Sequence, residues 1–210
     1  MAKQEMPLDQ EFFERPTAEV AIDLISMTLW RTTAQGCVSG RIVETEAYLD
    51  SRDRASHAAW SRRGRDVMQR APGTIYIYRS YGMHWMLNIV AHAPGTVGAI
   101  LLRAVEPVDG IELMEERRGT TKLQQLCSGP GKLCQAFGID DSMHKTDLLE
   151  SNQIGIEPDG VPDDIELVVG ERIGITKSAD LPLRFFEAGN RFVSAHRRGV
   201  PFDPAVLPSS

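Results

Sequence analysis

The sequence predicts an α+β fold in which a curved, mainly antiparallel sheet is flanked by short helices. Strand-like segments rich in β-branched and aromatic residues follow one another through hairpin-like turns, with few helical patterns between them. Alternating strand–helix–strand units are not seen in the sequence, which argues against a doubly wound fold. The 210 residues fit one domain over 1–210, with a core at about 12–196 and a short tail of about ten residues at each end.

The first predicted elements are a helix and a strand. Thr17 can cap a helix that runs to about Trp30, because apolar residues recur along one stripe. Residues 40–48 alternate in polarity and are typical of a strand. Residues 52–70 form a polar, arginine-rich connection, which a Pro-Gly turn at 72–73 follows.

A hairpin is predicted in the middle of the chain. Strands are expected at 74–79, 83–91 and 97–105, with a loop at 92–96 and Pro107 ending the last strand. If the hairpin centres between Pro94 and Gly95, residues whose numbers sum to 189 pair. Arg103 then faces Met86 and lies diagonal to Asn88 on one side of the hairpin.

Two short helices and several short strands complete the prediction. Asp109 can cap a helix that ends at Arg118, and Ser128 can cap a helix at 132–137 that ends at Gly138. Short strands are expected near 154–157, 165–169, 172–175 and 184–187.

The charge distribution is polarised although the formal net charge is −6. Residues 52–70 hold six arginines against two aspartates, whereas residues 140–171 hold ten acidic residues against one lysine. An acidic chain can therefore still present a basic face to nucleic acid. The alternative is a solvated arginine-rich loop.

Several classes of protein and site are disfavoured. Three cysteines are too few for a disulfide framework, and the apolar stretches are too short to span a membrane. The first residues lack an apolar signal region, so we expect a cytoplasmic protein. The histidines and cysteines lack metal-ligand spacing, and residues 128–132 (SGPGK) lack the spacing of a nucleotide-binding loop. We expect neither a metal nor a cofactor.

Residues 41–48 carry a possible chemical site. On a strand, Ile42, Glu44, Glu46 and Tyr48 share one face, and Val43, Thr45 and Ala47 share a face that is typical of core. A carboxylate beside an aromatic ring can act as a general base or stabilise a cation. Spacing alone nevertheless favours an edge strand whose glutamates face water.

Aromatic and basic residues give two further indications. Tyr76 and Tyr78 share a strand face and Tyr81 lies at a projecting turn, where rings can stack on bases or enter a duplex; wet tyrosines at a sheet edge are the alternative. Arg103 interrupts an apolar strand, so it needs a carboxylate partner, for which Glu46 is a candidate. A structural ion pair with another acid is the competing interpretation.

The chain resembles the alkyladenine, or 3-methyladenine, DNA glycosylases of the methylpurine glycosylase family, over about residues 12–194. Eight segments that occur in this order carry the resemblance: 41–48 (RIVETEAY), 72–78 (PGTIYIY), 81–84 (YGMH), 88–89 (NI), 101–107 (LLRAVEP), 126–136 (LCSGPGKLCQA), 172–175 (RIGI) and 183–186 (LRFF). Each segment alone is a weak signal, but eight in order make chance agreement improbable.

The resemblance implies base excision repair by a glycosylase without lyase activity. Such enzymes flip a damaged purine out of duplex DNA and hydrolyse its N-glycosidic bond. Glu46 matches the residue that activates the attacking water, and Arg103 and the backbone carbonyl of Ile173 match groups that hold this water. The lesion class implied is 3-methyladenine, 7-methylguanine, hypoxanthine and ethenoadenine.

The resemblance also implies DNA-binding residues. Those that sandwich, orient or screen the flipped base are Tyr48, His57, Tyr78 and Asn88. Tyr81, with Met83 beside it, matches the residue that fills the gap in the duplex. The family's segment between the histidine and the Pro-Gly turn is replaced here by 62–65 (RRGR), so backbone contacts by Arg62, Arg63 and Arg65 rest on charge alone. Lys132, at the start of a predicted helix, is a further candidate for a phosphate contact.

Two other functions remain open at this stage. One is a non-catalytic binder of damaged or bent DNA that uses the same tyrosines. The other is a nucleoside hydrolase, which would need neither the arginine surplus nor a projecting Tyr81. For the glycosylase we expect a monomer that acts on double-stranded DNA with damaged purines and, in a bacterium, is associated with the nucleoid.

Overall fold

The long strand β2 is the centre of the architecture. The structure is a computed structural model that describes residues 8–158, 165–194 and 198–207, and the statements below concern those residues. Within them nine strands form one sheet, and every pairing is antiparallel. The strands are β1 Thr28–Thr33, β2 Gly36–Tyr48, β3 Ile75–Ser80, β4 His84–Val90, β5 Ala99–Asp109, β6 Ile154–Glu157, β7 Leu167–Gly170, β8 Arg184–Glu187 and β9 Val200–Pro201.

The sheet order follows from the pairing of β2 on both of its sides. The path runs β3-β4-β5-β2-β8-β7-β9, and β1 pairs with both β2 and β6. Short helices flank the sheet: α1 Gln10–Phe13, α2 Thr17–Asp23, α3 His57–Trp60, α4 Arg62–Met68, α5 Ile111–Arg118 and α6 Pro130–Phe137. The predicted single α+β domain with a mainly antiparallel sheet is confirmed.

The two faces of the sheet differ in character. One face packs against α1, α2, α5 and α6 and contributes to the main apolar core, which includes Leu29, Ile75, Leu87 and Phe137. The other face carries two smaller apolar clusters, one around Tyr76 and one around Phe186. Polar residues of β2 and β5 lie between these clusters, so the second face is the one that can hold a site.

A pair of bulges shifts the side-chain alternation of β2. Ile42 pairs with Val105, Glu44 with Ala104 and Thr45 with Leu102, so Val43 and Arg103 are each an extra residue in their strand. As a result Ile42 packs in the main core, as Ala47 does, whereas Val43 joins the Phe186 cluster. The predictions that Ile42 shares a face with Glu44, and Val43 with Ala47, were therefore wrong, because regular alternation does not hold across a bulge.

The first predicted helix is shorter than expected. It ends at Asp23, and the residues up to Thr33 form β1 instead of helix. Ser26 adopts a left-handed φ of 79°, and the β-branched and aromatic residues after it pair with β2 and β6. Thr17 does not cap this helix, since its hydroxyl donates to the Ala91 carbonyl oxygen at 2.7 Å.

Other boundaries also differ from the prediction. The strand expected to end at Pro107 continues to Asp109, because Pro107 lies beside a register irregularity opposite Gly40 and its missing N–H costs little there. Gly110 and Gly129, with φ of 69° and 140°, precede the next two helices in place of Asp109 and Ser128.

The later segments were predicted with mixed success. The strands at 154–157 and 184–187 and the hairpin register are confirmed, and the strand expected at 165–169 lies at 167–170. Residues 172–175 form no strand. The predicted tails lie partly outside the described residues, but 200–207 are not a loose tail, since Phe202 packs on Phe185.

Candidate active site

Glu46 is a fully buried carboxylate on the second face of the sheet. The Tyr48 hydroxyl donates to its Oε2 at 2.8 Å, and the Ile173 backbone N–H donates to its Oε1 at 2.7 Å. The Arg103 Nη1 lies 3.3 Å from Oε2. Glu46 is therefore in contact with Arg103 and Ile173, which the resemblance placed with it, and also with Tyr48, which the resemblance placed among the base-binding residues. The expectation of water-facing glutamates on an edge strand was wrong, because β2 is an interior strand.

The pKa of Glu46 lies above its usual value. Burial is the largest cause, and it outweighs the opposing effects of Arg103, the Ile173 N–H and the Tyr48 hydroxyl. A carboxylate with a raised pKa holds a proton more strongly, so it is a better general base. The group that Ile173 presents to Glu46 is its N–H, and the contact of its carbonyl with a water stays a prediction.

Glu44 is a second buried carboxylate two residues away. It accepts from the Arg103 Nε at 3.1 Å and the Arg184 Nε at 2.6 Å, and also from the N–H and hydroxyl of Ser194 at 2.8 and 2.9 Å. Burial acts to raise the pKa of Glu44, but the two guanidinium groups and the Ser194 hydrogen bonds outweigh it and lower the pKa.

Arg103 connects the two carboxylates. Its side chain is almost completely buried between Glu44 and Glu46. Burial acts to lower the pKa of Arg103, but Glu46 and then Glu44 outweigh it, so the pKa is raised and the guanidinium stays charged. The predicted carboxylate partner of Arg103 is confirmed, and the structure adds Glu44 as a second one. The sequence shows Glu44 two residues before Glu46, but it does not show the bulge that turns Arg103 towards Glu44.

A buried ion pair between Arg172 and Asp53 lies behind Tyr48. The two Nη atoms of Arg172 donate to the two Asp53 carboxylate oxygens at 2.6 and 2.8 Å, and Nη1 also donates to the Ala47 carbonyl at 2.9 Å. The guanidinium lies over the Tyr48 ring at 4.7 Å from its centroid. Arg172 therefore supports both donors of Glu46, since Ile173 is its chain neighbour. This ion pair was not predictable from the sequence, because no local pattern links positions 53 and 172.

A pocket of about 610 Å³ opens beside Tyr48. Aromatic rings form much of its wall: Tyr76 and Tyr78 lie 5.5 Å apart by centroid, and His57 and Tyr78 lie 4.4 Å apart. The His57 Nδ1 is hydrogen bonded to the Tyr76 hydroxyl. The residues expected to hold a base (Tyr48, His57, Tyr78 and Asn88) all line this pocket.

The pocket rings are neutral near pH 7. Burial, followed by the nearby Glu46, raises the pKa of Tyr78 to about 12, and burial also lowers the pKa of His57. Tyrosine faces of this kind are electron-rich and attract cationic rings. His144, which the sequence analysis did not assign to the site, also lines the pocket, and its Nδ1 accepts from the Ile77 N–H at 3.1 Å.

Asn88 is held rigidly at the pocket wall. Its side-chain nitrogen donates to the backbone carbonyls of Tyr76 and Met86 at 3.1 and 3.2 Å, and the residue is almost fully buried. Two acceptors occupy the two amide protons, so the amide can meet a ligand mainly through its carbonyl oxygen. A fixed acceptor at a pocket wall can discriminate between ligands by hydrogen bonding or repulsion.

Exposed apolar side chains surround the mouth of the pocket. Tyr81 is 87% exposed and Met83 is 69% exposed, on a tight turn in which the Met83 N–H donates to the Ser80 carbonyl. Tyr81 has a left-handed φ of 51°, so the turn projects its ring from the strand. Trp60, which the sequence analysis passed over, is 62% exposed and also lines the pocket.

The basic residues near the mouth are not equivalent. The segment expected to be a plain connection contains α3 and α4, and Arg62 and Arg63 are exposed in α4. The Arg65 Nε instead donates to the Ala58 carbonyl at 2.7 Å, so it also joins the two helices. Lys132 is exposed in the first turn of α6, which packs on His84 next to Met83.

The family model described as methylpurine-DNA glycosylase matches residues 11–191. The chain belongs to this family. It is therefore a DNA glycosylase, an enzyme of base excision repair. Relatives of similar length from three bacteria, each provisionally assigned as a 3-methyladenine DNA glycosylase, are similar throughout.

The three relatives cover nearly the whole chain. That of Chlorobaculum parvum is 46% identical over 92% of this chain and 93% of its own. That of Salinibacter ruber is 44% identical over 90% of this chain and 96% of its own. That of Rhizobium johnstonii is 48% identical over 88% of each chain.

Within the residues that the structure describes, this glycosylase has neither a membrane-spanning helix nor a metal-binding cluster. No helix in the described part of the chain is long and apolar enough to cross a membrane. Among the same residues, no group of three or more histidine, cysteine, aspartate or glutamate side chains could hold a metal ion.

Proposed function

We propose that this enzyme removes alkylated or deaminated purines from duplex DNA and that Glu46 is its general base. The observation that carries the proposal is the placement of Glu46, which is buried, held by Arg103 and joined through Tyr48 to an aromatic pocket. The lesions proposed are those of the family implied by the sequence: 3-methyladenine, 7-methylguanine, hypoxanthine and ethenoadenine.

The proposed reaction is hydrolysis of the N-glycosidic bond. As the bond to the purine breaks, the base leaves with the bonding electrons and the sugar becomes oxocarbenium-like. A water attacks C1′ and gives its proton to Glu46, whose negative charge also stabilises the cationic sugar. Water as the nucleophile forms no Schiff base, so the DNA strand stays intact and the product is an abasic site.

The position of the water follows from the contacts of Oε2. This oxygen accepts from the Tyr48 hydroxyl and is also the one nearest Arg103. A water that binds Oε2 beside the Tyr48 hydroxyl gains the carboxylate as its base and comes within reach of Arg103. We propose that the Ile173 carbonyl accepts a hydrogen bond from this water as its third contact.

The aromatic pocket is proposed to receive the flipped purine. Tyr48, His57 and Tyr78 would contact its faces and edges, and an alkylated purine cation would gain cation–π attraction from the neutral tyrosines. Asn88 would disfavour guanine, whose exocyclic amino group would meet the fixed side chain. In 7-methylguanine, which carries the same amino group, the positive charge that makes the base a good leaving group would offset this penalty. Flipping costs least for a damaged or mispaired base, which adds selectivity.

The mouth is proposed to face the duplex. Tyr81 and Met83 would fill the gap left by the flipped base, because they are the exposed apolar residues on a projecting turn. Arg62, Arg63, Arg65 and Lys132 would contact phosphates, with Arg65 retaining its bond to Ala58. We propose a monomer that, in a bacterium, acts at the nucleoid.

A silent binder of damaged DNA is the competing function. It would use the same pocket and mouth, but it would not need a buried carboxylate whose pKa is raised beside a guanidinium. Keeping such a group in a protein interior costs stability, which favours the catalytic proposal.

The test is base release from end-labelled duplexes that contain one hypoxanthine or one ethenoadenine, with methylated DNA assayed in parallel. We expect strand breaks only after alkali, and none above background for Glu46→Gln. If both proteins bind the duplex and neither releases a base, the enzyme is a binder of damaged DNA. Strand breaks without alkali would contradict the monofunctional reaction.

A further inference from the structure

Trp60 is an exposed aromatic residue at the edge of the pocket. A single exposed apolar side chain is ordinary in a protein surface. Trp60 differs because it lines the pocket and its ring contacts that of His57, with centroids 4.7 Å apart and ring planes 88° apart. It is therefore a continuation of the pocket's aromatic wall towards solvent.

The helix that carries Trp60 is fixed at both ends. The Ser56 hydroxyl accepts from the Ala58 N–H at its start, and the Ser61 N–H donates to the His57 carbonyl at its end. Arg65 of α4 binds the Ala58 carbonyl as well. A one-turn helix held in this way presents the Trp60 ring at a defined place, which a stacking surface requires.

The charges around Trp60 fit one kind of occupant. Arg62 and Arg63 follow it closely in the chain, are exposed, and Arg63 also lines the pocket. An aromatic face beside guanidinium groups suits a nucleobase together with its phosphates. Tyr81 also lines the pocket, so two exposed aromatic rings border the same opening.

The rings inside the pocket show where a base held on Trp60 would lie. The centroids of His57 and Tyr78 are 4.4 Å apart, so these two rings touch and form one continuous part of the pocket wall. Trp60 contacts His57 directly. A purine stacked on Trp60 would therefore lie next to this wall, one ring away from the inner pocket.

We propose that Trp60 forms an outer nucleobase-stacking site, which holds the extruded purine before it enters the pocket. The inference rests on the proposed base-flipping function and adds a site to it. Tyr81 acts on the duplex that the base has left, whereas Trp60 acts on the base itself. Loss of one base stack should slow base release by about tenfold.

Tryptophan emission tests the stack directly, since a stacked nucleobase quenches it. The Glu46→Gln protein is mixed in a stopped-flow instrument with a duplex that contains one ethenoadenine and, separately, with the undamaged duplex of the same sequence. We expect additional quenching early after mixing with the damaged duplex. This quenching should be lost in Glu46→Gln/Trp60→Phe and retained in the matched control Glu46→Gln/Trp85→Phe.

Single-turnover base release gives the second readout. Trp60→Ala should release the base about tenfold more slowly than the wild type, and Trp60→Phe, which keeps a ring, should lie close to the wild type. If Trp60→Ala is slow but Trp60 gives no damage-dependent quenching, Trp60 only supports His57 and the outer site is wrong. Wild-type rates in Trp60→Ala would also overturn it.

The two proposals fail in different ways. If the wild-type protein releases no base from any lesion, the proposed function is wrong, and the quenching experiment still decides whether a base stacks on Trp60. If the wild type releases base normally and Trp60 is not quenched, only the outer site is rejected.

Discussion

The surroundings of Glu44 and of Glu46 differ although the two residues are only two positions apart. Both carboxylates are fully buried, and both contact Arg103. Glu44 has a second guanidinium and two Ser194 donors, so its pKa is lowered. Glu46 has a phenol and one backbone N–H instead, and its pKa is raised. The same side chain on the same strand is therefore suited to structure in one place and to proton transfer in the other.

The largest expected effect comes from Glu46→Gln. Removing the proposed general base should slow the release of hypoxanthine by about 10²–10⁴-fold, the usual contribution of general-base catalysis. The free energy of unfolding should not fall, because a buried carboxylate with a raised pKa carries a cost that glutamine avoids. Base release is measured by alkaline strand cleavage and unfolding by urea. If Glu46→Gln released hypoxanthine at half the wild-type rate, Glu46 would not be the general base.

Glu44→Gln should reverse this pattern. It leaves Arg184 and Arg103 with one carboxylate fewer in a buried site, so the free energy of unfolding should fall by about 3 kcal/mol. In the folded protein, base release should be reduced less than in Glu46→Gln. Urea unfolding of the two variants in parallel is the measurement. An equal loss of activity with unchanged stability would mean that Glu44 takes part in the chemistry.

Acid should affect the two variants in opposite directions. The pKa of Glu44 is lowered by folding, so its contribution to stability is present above the unfolded pKa near 4.5 and is lost as the pH falls through the folded value. The stability gap between wild type and Glu44→Gln should therefore shrink on acidification. Glu46 has a raised pKa, so Glu46→Gln should gain most, relative to wild type, above that pKa. Urea unfolding from pH 7 to pH 3 checks both signs, since the loss at Glu44 begins only near pH 4.5.

Two arginine substitutions should sharpen the comparison further. Arg172→Lys loses the paired contacts to Asp53 that support Tyr48 and Ile173, so base release should fall by about tenfold through misplacement of Glu46. Arg184→Lys, on the Glu44 side, should lower stability and change release by less than about threefold. Single-turnover rates and melting temperatures are compared. Equal rates in the two variants would mean that the Asp53–Arg172 pair is purely structural.

The smallest effect is expected for Tyr48→Phe. The ring stays in the pocket, but Glu46 loses the hydroxyl that stabilises its charged form. The pKa of Glu46 should rise, so the acid limb of the rate profile should move up by about one pH unit while the rate at high pH changes little. The profile of base release between pH 5 and pH 9 is the measurement, and a limb that stays in place would mean that Tyr48 does not tune Glu46.

Some parts of the fold and site were predictable because their signals are local. The register of the β4–β5 hairpin followed from its turn, and the ring pair of Tyr76 and Tyr78 followed from strand alternation. The partner of Arg103 followed from the cost of a buried charge. Each inference needed only neighbours in the chain or one physical rule.

Other parts depend on contacts between distant segments. The helix expected to reach Trp30 gave way to β1, because tertiary pairing with β2 and β6 outweighs the local signal for about two more turns of helix. The roles of Glu44, Arg172 and Trp60 depend on which segments the fold brings against them. The periodicity of hydrophobic residues in the sequence carries no information about such long-range contacts.

The paired bulges at Val43 and Arg103 reverse which residues of β2 face the main core. Before them the even-numbered residues Val38 and Ile42 enter the main core, and after them the odd-numbered Thr45 and Ala47 face α2 and that core. Loss of a single residue here would leave one half of β2 out of phase, with its apolar side towards the pocket or its carboxylates towards the core. Insertions and deletions in this strand should therefore be tolerated only when they add or remove two residues, because two residues are one full period of side-chain alternation.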